Sequence, residues 1–472
     1  MSEPATHSRS DDQTRRRLSP VQAVRQGMHA YSWGLDFKEW DRLRECLVGA
    51  LRFSSSRTVT TTDAESRIAS FQGRVDDYAA RCHLHCNQLV RVDGDRAAYT
   101  GYLMLARVRQ PADGGGFFYE GGFYRNTFVR EGGSWKASEI IWQDVFSDSG
   151  APMKILHDTL ASPITAAKQV LPEGPGTAAT EHDAVSAVVN WVIRAADSGD
   201  LAAFHEWVDA MANGTVDGQA CRGRDALAQA FLAPAGRRLT FLANHRVRVS
   251  GDRASYAASA AIVTIGTGQS SSRQAGGILH ADLSKSPDGW RLAALRLQIL
   301  WDTQKATVPA QSPVADCPDL CDDWTGNGIV PDGQRLEDLL HRMLACVDAG
   351  DRDGLSRCLA DDATGKLWDA EPLRSRAAIV AALLEYRGSL DFLQSFAFNT
   401  VVRFEGEQST LKCYSMARQV SAQGNAPDTV GGRLFMKARH EAGAWQITDL
   451  TFCRDFGPFD VPRAPASSIA QS

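Results

Sequence analysis

The chain repeats its landmarks three times at one interval, and that interval sets the architecture. Gly121-Gly122 stands 13 residues before Trp135, counted from the second glycine. Gly276-Gly277 stands 13 before Trp290, and Gly431-Gly432 13 before Trp445. The three tryptophans are spaced 155 residues apart. Upstream, Asn87, Asn244 and Asn399 each stand seven residues before a glycine, namely Gly94, Gly251 and Gly406, and each glycine is followed by an acid. Solenoid units run only about 20–45 residues, so these are three copies of a whole domain. A length of 472 residues accommodates three domains at roughly 150 residues each.

Within each copy the pattern runs in one order. A helical stretch comes first: Ala23 to Leu47, Ala184 to Val208 and Leu336 to Leu359. In the first, Leu35, Trp40, Leu43 and Leu47 recur at helical intervals. A shorter helix follows, as in Ala226 to Leu232. Strands then alternate with turns: His83 to Val92, Ala97 to Val108, Gly122 to Arg130 and Trp135 to Phe146. Their β-branched and aromatic content predicts an antiparallel meander. Helices first and sheet after is an α+β layout. The copies are expected at 19–149, 181–305 and 334–460. Proline-bearing linkers at 150–180 and 306–333 separate them, and unstructured ends flank them. Trp135, Trp290 and Trp445 are expected in the core, and the glycine pairs at bulges or close backbone approaches.

Composition removes several classes of function. The net charge of −5 lacks the basic excess of a nucleic-acid binder. No run of 18 apolar residues spans a membrane. Arg15 to Arg17 lead into Leu18-Ser19-Pro20, not into the apolar core of an export signal. The ten cysteines are scattered, so free thiols in the cytoplasm are expected. Cys317 and Cys321 have no second pair to complete a metal site.

The first copy carries a closer signature: Tyr31-Ser-Trp-Gly-Leu-Asp36-Phe-Lys-Glu-Trp40, then Leu51-Arg-Phe53, Arg81-Cys-His83 and Gly101-Tyr102. These residues and the layout resemble the SnoaL-like and scytalone dehydratase branch of the nuclear transport factor 2-like superfamily. The likeness is closest over residues 28–148. The resemblance implies three tandem cone-shaped α+β barrels, each a curved antiparallel sheet wrapped by helices around a pocket. Because some relatives form trimers, it also implies an intrachain pseudo-trimer, with a low-order homo-oligomer as the alternative. It places the family's catalytic Asp on Asp36 and its His on His83. Leu103 stands where the family has a second His, and Leu35 and Ser55 where it has tyrosines. Scytalone itself is therefore not the expected substrate.

The chemistry of these residues points the same way. Histidine has the unperturbed pKa nearest neutrality, which suits a general base. A carboxylate on its far nitrogen fixes the tautomer. On a regular strand His83, His85 and Asn87 share one face, and Tyr124 and Asn126 another. Tyr124 is a candidate oxyanion donor. Trp33, Trp142 and Phe117-Phe118-Tyr119 would line an aromatic-sized pocket. Asp36 has a second reading as a helix-terminating acid, since Asp197 and Asp348 occupy the same place. Cys82, His83, His85 and Cys86 suggest zinc by type, but a strand sends 82 and 86 to the face opposite 83 and 85. No metal or cofactor is expected. His245 is expected at the surface.

Four residues before the landmark Asn stand His83, Thr240 and Ser395. Only the first can act as a base at neutral pH. The expectation is a cofactor-independent lyase of dehydratase type, or an isomerase, acting on a small aromatic or polyketide-like compound through His83 and Asp36. Tyr124, Asn126, Trp33, Trp142, His85 and Asn87 would contact the substrate. The alternatives are a non-catalytic small-molecule binding protein and a structural subunit of the same fold.

Overall fold

In the computed structural model, the described residues are 18–55, 63–72, 78–109, 117–147, 154–155, 180–232, 236–266, 272–304, 330–368, 370–421 and 428–456. Most of both linkers, both chain ends and the Cys317/Cys321 pair lie outside them.

The first copy holds α1 (Pro20–Asp36), α2 (Trp40–Glu45), β1 (Leu47–Ser55), α3 (Ala64–Gln72), β2 (Tyr78–Asp93), β3 (Arg96–Arg109), β4 (Phe117–Glu131), β5 (Ser134–Ser147) and the short β6 (Lys154–Ile155). The second holds α4 (Glu181–Ser198), α5 (Leu201–Trp207), β7 (Val208–Val216), β8 (Gln219–Arg222), α6 (Arg224–Phe231), β9 (Gly236–Ser250), β10 (Arg253–Gly266), β11 (Ser272–Ser286) and β12 (Gly289–Asp302). The third holds α7 (Asp332–Ala349), α8 (Arg352–Cys358), β13 (Leu359–Leu367), α9 (Arg376–Gly388), β14 (Leu390–Glu405), β15 (Gln408–Ser421), β16 (Asp428–Glu441) and β17 (Ala444–Phe456).

Local chemistry sets the helix starts. Ser19 caps α1 in a capping box with Gln22, and Thr180 caps α4. The long helical stretch read from sequence is broken after Asp36, where Lys38 takes φ +59° and a second short helix begins. The four long strands of each copy form the expected meander. A further strand was not legible as part of it: β1, β7 and β13 each run parallel to the last long strand of their copy, β5, β12 and β17. The third helix and three strands of the meander lie between each of them and its parallel partner, more than the chain length a parallel return requires.

The glycine pairs mark a bulge. Register slips opposite each pair, where the last strand carries an extra residue. A Cβ on Gly122, Gly277 or Gly432 would lie 2.1, 2.0 or 2.0 Å from the carbonyl oxygen of Gln143, Gln298 or Cys453. Only glycine lets the backbones approach so closely. Trp290 and Trp445 are buried as expected. Trp135 is half-buried and packs at the margin of its copy's core.

The strands β2, β9 and β14 are each the free edge of their sheet, and they come together. Leu84, Phe241 and Phe396, each three residues before a landmark Asn, share one apolar cluster with their neighbours. Such an edge leaves backbone N–H and C=O groups open. The landmark asparagines close them. Each takes a left-handed conformation, with φ of 47° to 55°, and its carboxamide supplies the donor and acceptor of a peptide group. Asn87 bonds Thr240 O and Leu242 N at 2.9 and 2.8 Å. Asn244 bonds Ser395 O and Ala397 N, both at 2.7 Å. Asn399 bonds His83 O and, at 2.8 Å, His85 N. The first copy clamps the second, the second the third, and the third the first. That is a closed ring of heterologous contacts within one chain.

This corrects the expectation for Asn87. The positive φ breaks the alternation of β2, and the side chain leaves the cone to hold the neighbouring sheet.

The three seams are not equal. At two of them a tyrosine of one copy reaches the helix-end acid of the next: Tyr414 to Asp36 at 2.8 Å and Tyr102 to Asp197 at 3.2 Å. At the third, Ser259 holds the tyrosine's position and Ala345 that of Trp33 and Arg194. A cavity of about 20 Å³ lies there, lined among others by Asn244, Ser259, Ala345 and Asp348, room for a water molecule. Leu393 also stands where Arg81 and Arg238 approach the other two acids. Burial pushes the Asp348 carboxyl up to about 7, against the Ser395 hydrogen bonds and the charges of Arg387 and Arg246.

A raised carboxyl pKa means the native state keeps a proton that the unfolded chain releases between about pH 4 and 7. The group's contribution to stability therefore falls as pH rises through that window. Asp348→Asn stays neutral and can still pair with Ser395. Its stability should exceed that of wild type at pH 8 by on the order of 2–4 kcal/mol more than at pH 5. Urea midpoints at several pH values measure this, and parallel profiles for the two proteins would refute it.

Candidate active site

Asp36 ends α1 with its side chain fully buried. His83 lies on β2, facing the cone. The imidazole Nδ1 sits 2.6 Å from Asp36 Oδ1, and the His83 backbone N–H donates to Oδ2 at 2.8 Å. The Tyr414 hydroxyl also donates to Oδ2, and Arg81 Nε lies 3.4 Å from Oδ1. Burial holds the Tyr414 phenol well above its usual range, so it remains a donor. With Nδ1 turned to the carboxylate, Nε2 has no hydrogen-bond partner among the described residues. It is the ring nitrogen that can accept a proton.

The same scaffold recurs without the base. Asp197 accepts from Thr240 N and Oγ1, both at 2.8 Å, and Asp348 from Ser395 N at 2.8 Å and Oγ at 2.6 Å. Asp36 ties the helix end to the strand, as its counterparts do, and in the first copy alone the tied side chain is an imidazole.

His85 also faces the cone, but both its nitrogens are engaged. Ser32 Oγ lies 2.7 Å from Nε2 and the Tyr99 hydroxyl 3.1 Å from Nδ1. Burial lowers its pKa well below the usual value, so it is a neutral bridge. Tyr124 stacks on it at 5.4 Å between centroids, and Trp142 packs against Tyr124 at 4.9 Å. These two aromatics thus lie together on the cone side. Asn126 bonds Met28 Sδ at 3.1 Å and accepts from Ile141 N, which commits its carboxamide to the wall.

Trp33 is not in the cone, contrary to expectation. It donates to Asn399 O at 3.0 Å and stacks on Tyr414 at 4.4 Å, because its helix face is turned to the third copy. His245 is not exposed either: it is half-buried against Tyr256. Cys82 and Cys86 point into the apolar seam, so the suspected four ligands do not converge. Among the described residues no group of three or more His, Cys, Asp or Glu side chains is placed to hold a metal. Of the aromatic run, Phe118 is buried, while the side chains of Phe117 and Tyr119 lie outside the described set.

Three contributors were missed. Tyr414 and Asn399 act from the third copy, more than 300 residues away. Their signal was present: Tyr102 and Tyr414 stand at the same offset from their landmark asparagines. The third is Arg67 on α3, whose guanidinium is buried beside the Tyr31 hydroxyl.

The SnoaL-like domain matches residues 16–140, 177–296 and 330–451. The chain belongs to the SnoaL-like domain family. It carries that domain three times, and the three sheets with their leading helices are its three cones. Solved structures similar to part of the chain include a candidate scytalone dehydratase from Novosphingobium aromaticivorans. It is 12% identical with a TM-score of 0.27, covering 28% of this chain and 91% of that one. A candidate aromatic ring hydroxylase from the same organism is 22% identical with a TM-score of 0.24, covering 28% and 90%. A candidate dehydratase of the NTF2-like family from Streptomyces avermitilis is 13% identical with a TM-score of 0.24, covering 26% and 95%. No curated protein matches the chain. Among the described residues no helix of this SnoaL-like protein is long and apolar enough to cross a membrane.

Proposed function

We propose that the first SnoaL-like copy is a lyase of dehydratase type, or an isomerase, that acts on a small aromatic or polyketide-like compound without a cofactor. The observation that carries this reading is the Asp36–His83 pair, with Nε2 left without a hydrogen-bond partner among the described residues. In the reaction Nε2 takes a proton from a carbon beside a carbonyl or an activated ring. The C–H electrons become the new π bond, the neighbouring C–O bond breaks, and the imidazolium returns its proton to the departing oxygen as water. Asp36 holds the imidazole and stabilises its charged form. Tyr124 and Trp142 offer an aromatic wall, and Tyr124 carries a hydroxyl for the carbonyl oxygen. His85 and Asn126 hold that wall in place. The elimination is redox-neutral overall, so no redox partner is required. In an isomerase the proton would return to a different carbon instead.

The test is to incubate the full chain with a panel of hydroxylated aromatic and polyketide-like compounds and follow masses. Loss of water, or a shifted retention time at unchanged mass, is expected for at least one class, and only when His83 is present. Compounds that bind tightly but are never converted would sink the lyase reading and favour a small-molecule carrier.

A further inference from the structure

Lys412 on β15 is an amine at the seam between the third and first copies. It stands 13 residues after its landmark Asn, where the other copies have Thr100 and Ala257. Its neighbour Cys413 faces the third cone, so Lys412 lies on the outer face of that sheet. There its Nζ sits 4.2 Å from the centroid of the Trp33 indole of the first copy. Register places Val401 and Phe435 opposite Lys412 on the two neighbouring strands. Arg403 and Arg433, two residues along those strands, therefore stand diagonally to it on the same face. Arg42 on α2 and Glu39 just before it bear on the amine from across the seam. Glu39 is already paired with Arg42, and Asp455 holds Arg433 in two bonds of 2.9 and 2.8 Å. Among the described residues Arg403 has no ion pair, and Lys412 has neither an ion pair nor a hydrogen bond. The cluster holds cations in excess and lacks an anion for its amine.

Burial and then the Arg42 charge, with smaller contributions from Arg403 and Arg433, bring the amine down to about 7 against the opposing pull of Glu39. At pH 7.5 it is mostly neutral, whereas an ordinary lysine is neutral in roughly one molecule in a thousand. A neutral amine is a nucleophile, and this one is half-buried, which favours a small electrophile. We propose that Lys412 is a carbon dioxide site that carries a carbamate at the seam between the third and first copies. The amine lone pair forms an N–C bond to carbon dioxide, one C=O π pair moves onto oxygen, and the nitrogen releases a proton to water. No oxidant or further reactant enters. The product places a carboxylate-like anion among guanidiniums, whose planar N–H forks suit such a group. The site lies outside the cones and does not rest on the reaction proposed at His83.

Trapping tests the proposal. The full chain is equilibrated with ¹³C-labelled bicarbonate and its dissolved carbon dioxide at pH 7.5, alkylated with triethyloxonium ion to fix carbamates as ethyl esters, and mapped by peptide mass spectrometry. The labelled adduct should appear on Lys412 at a yield at least tenfold above that on Lys437, an exposed lysine of β16 that serves as the internal control. Lys412→Arg should lose the adduct at that position and leave the yield on Lys437 as it was. Arg403→Gln, checked for an unchanged thermal transition, should lower the yield on Lys412 several-fold by removing a cation that faces both the amine and the product. No labelled adduct on Lys412, or a yield no higher than on Lys437, would overturn the proposal within the wild-type protein alone. An undiminished yield in Arg403→Gln would overturn the part given to the guanidiniums.

Discussion

His83→Ala is expected to lower turnover of the compound found by the mass-spectrometric screen by about 10²–10⁴-fold, the range lost with a positioned general base. The fold should survive the change. Asp36 keeps its bonds from the His83 backbone N–H and the Tyr414 hydroxyl, and only the imidazole contact is lost. Asp36→Asn should cost somewhat less in rate by loosening the ring's orientation. Thr240→Ala and Ser395→Ala occupy the same position in the other copies and should leave turnover within a few-fold. Initial rates with matched circular dichroism spectra decide the matter. Full activity in His83→Ala, or a large loss in either hydroxyl variant with the fold retained, would move the chemistry to another pocket.

The second large effect concerns the clamps. Asn→Ala at 87, 244 or 399 removes a buried amide and leaves one N–H and one C=O on the neighbouring strand without their partner. Each orphaned group costs about 1–3 kcal/mol, and alanine in a left-handed conformation adds about 1 kcal/mol. All three variants should therefore lose on the order of 3–5 kcal/mol in urea unfolding. Their effects on rate should differ. Asn399 grips β2 at the His83 carbonyl and the His85 N–H, so one of its bonds falls on the residue that carries the imidazole. Asn399→Ala should lower turnover at least tenfold under conditions where it remains folded, while Asn244→Ala, at the seam between the second and third copies, should leave it within a few-fold. Equal rate losses in the two would show that the clamp acts only through global stability.

Repetition was legible because its causes are local. Gly122, Gly277 and Gly432 each face a bulged carbonyl at a distance no side chain tolerates. The asparagines sit at a backbone conformation that few residues accept. Both demands leave fixed residue types at fixed spacing. The Asp36–His83 pairing was legible through the family resemblance carried by the first helix. What stayed hidden depended on the assumption of a regular strand or on contacts between copies. The alternation rule put Asn87 on the cone face, and the positive φ at Asn87 defeats it. Trp33 reads as an apolar residue of an amphipathic helix, and nothing adjacent to it says that its partner is Asn399. Arg67 stands in a helix with little apolar patterning, where a cation reads as solvent-facing. Only comparison with the buried Leu227 and Ile379, the fourth residues of α6 and α9 as Arg67 is of α3, marks it as inward.

The clamp that grips β2 joins residues 316 positions apart in the chain. During synthesis at about 5–20 residues per second, Asn399 emerges roughly 15–60 s after His83. Until then the first copy has its helix, its sheet and its imidazole, but no hydroxyl from Tyr414 on Asp36 and no amide on the edge of β2. The nascent chain therefore passes through a long interval in which the Asp36–His83 site is incomplete. Its assembly is timed by the third copy, the last of the three to be made.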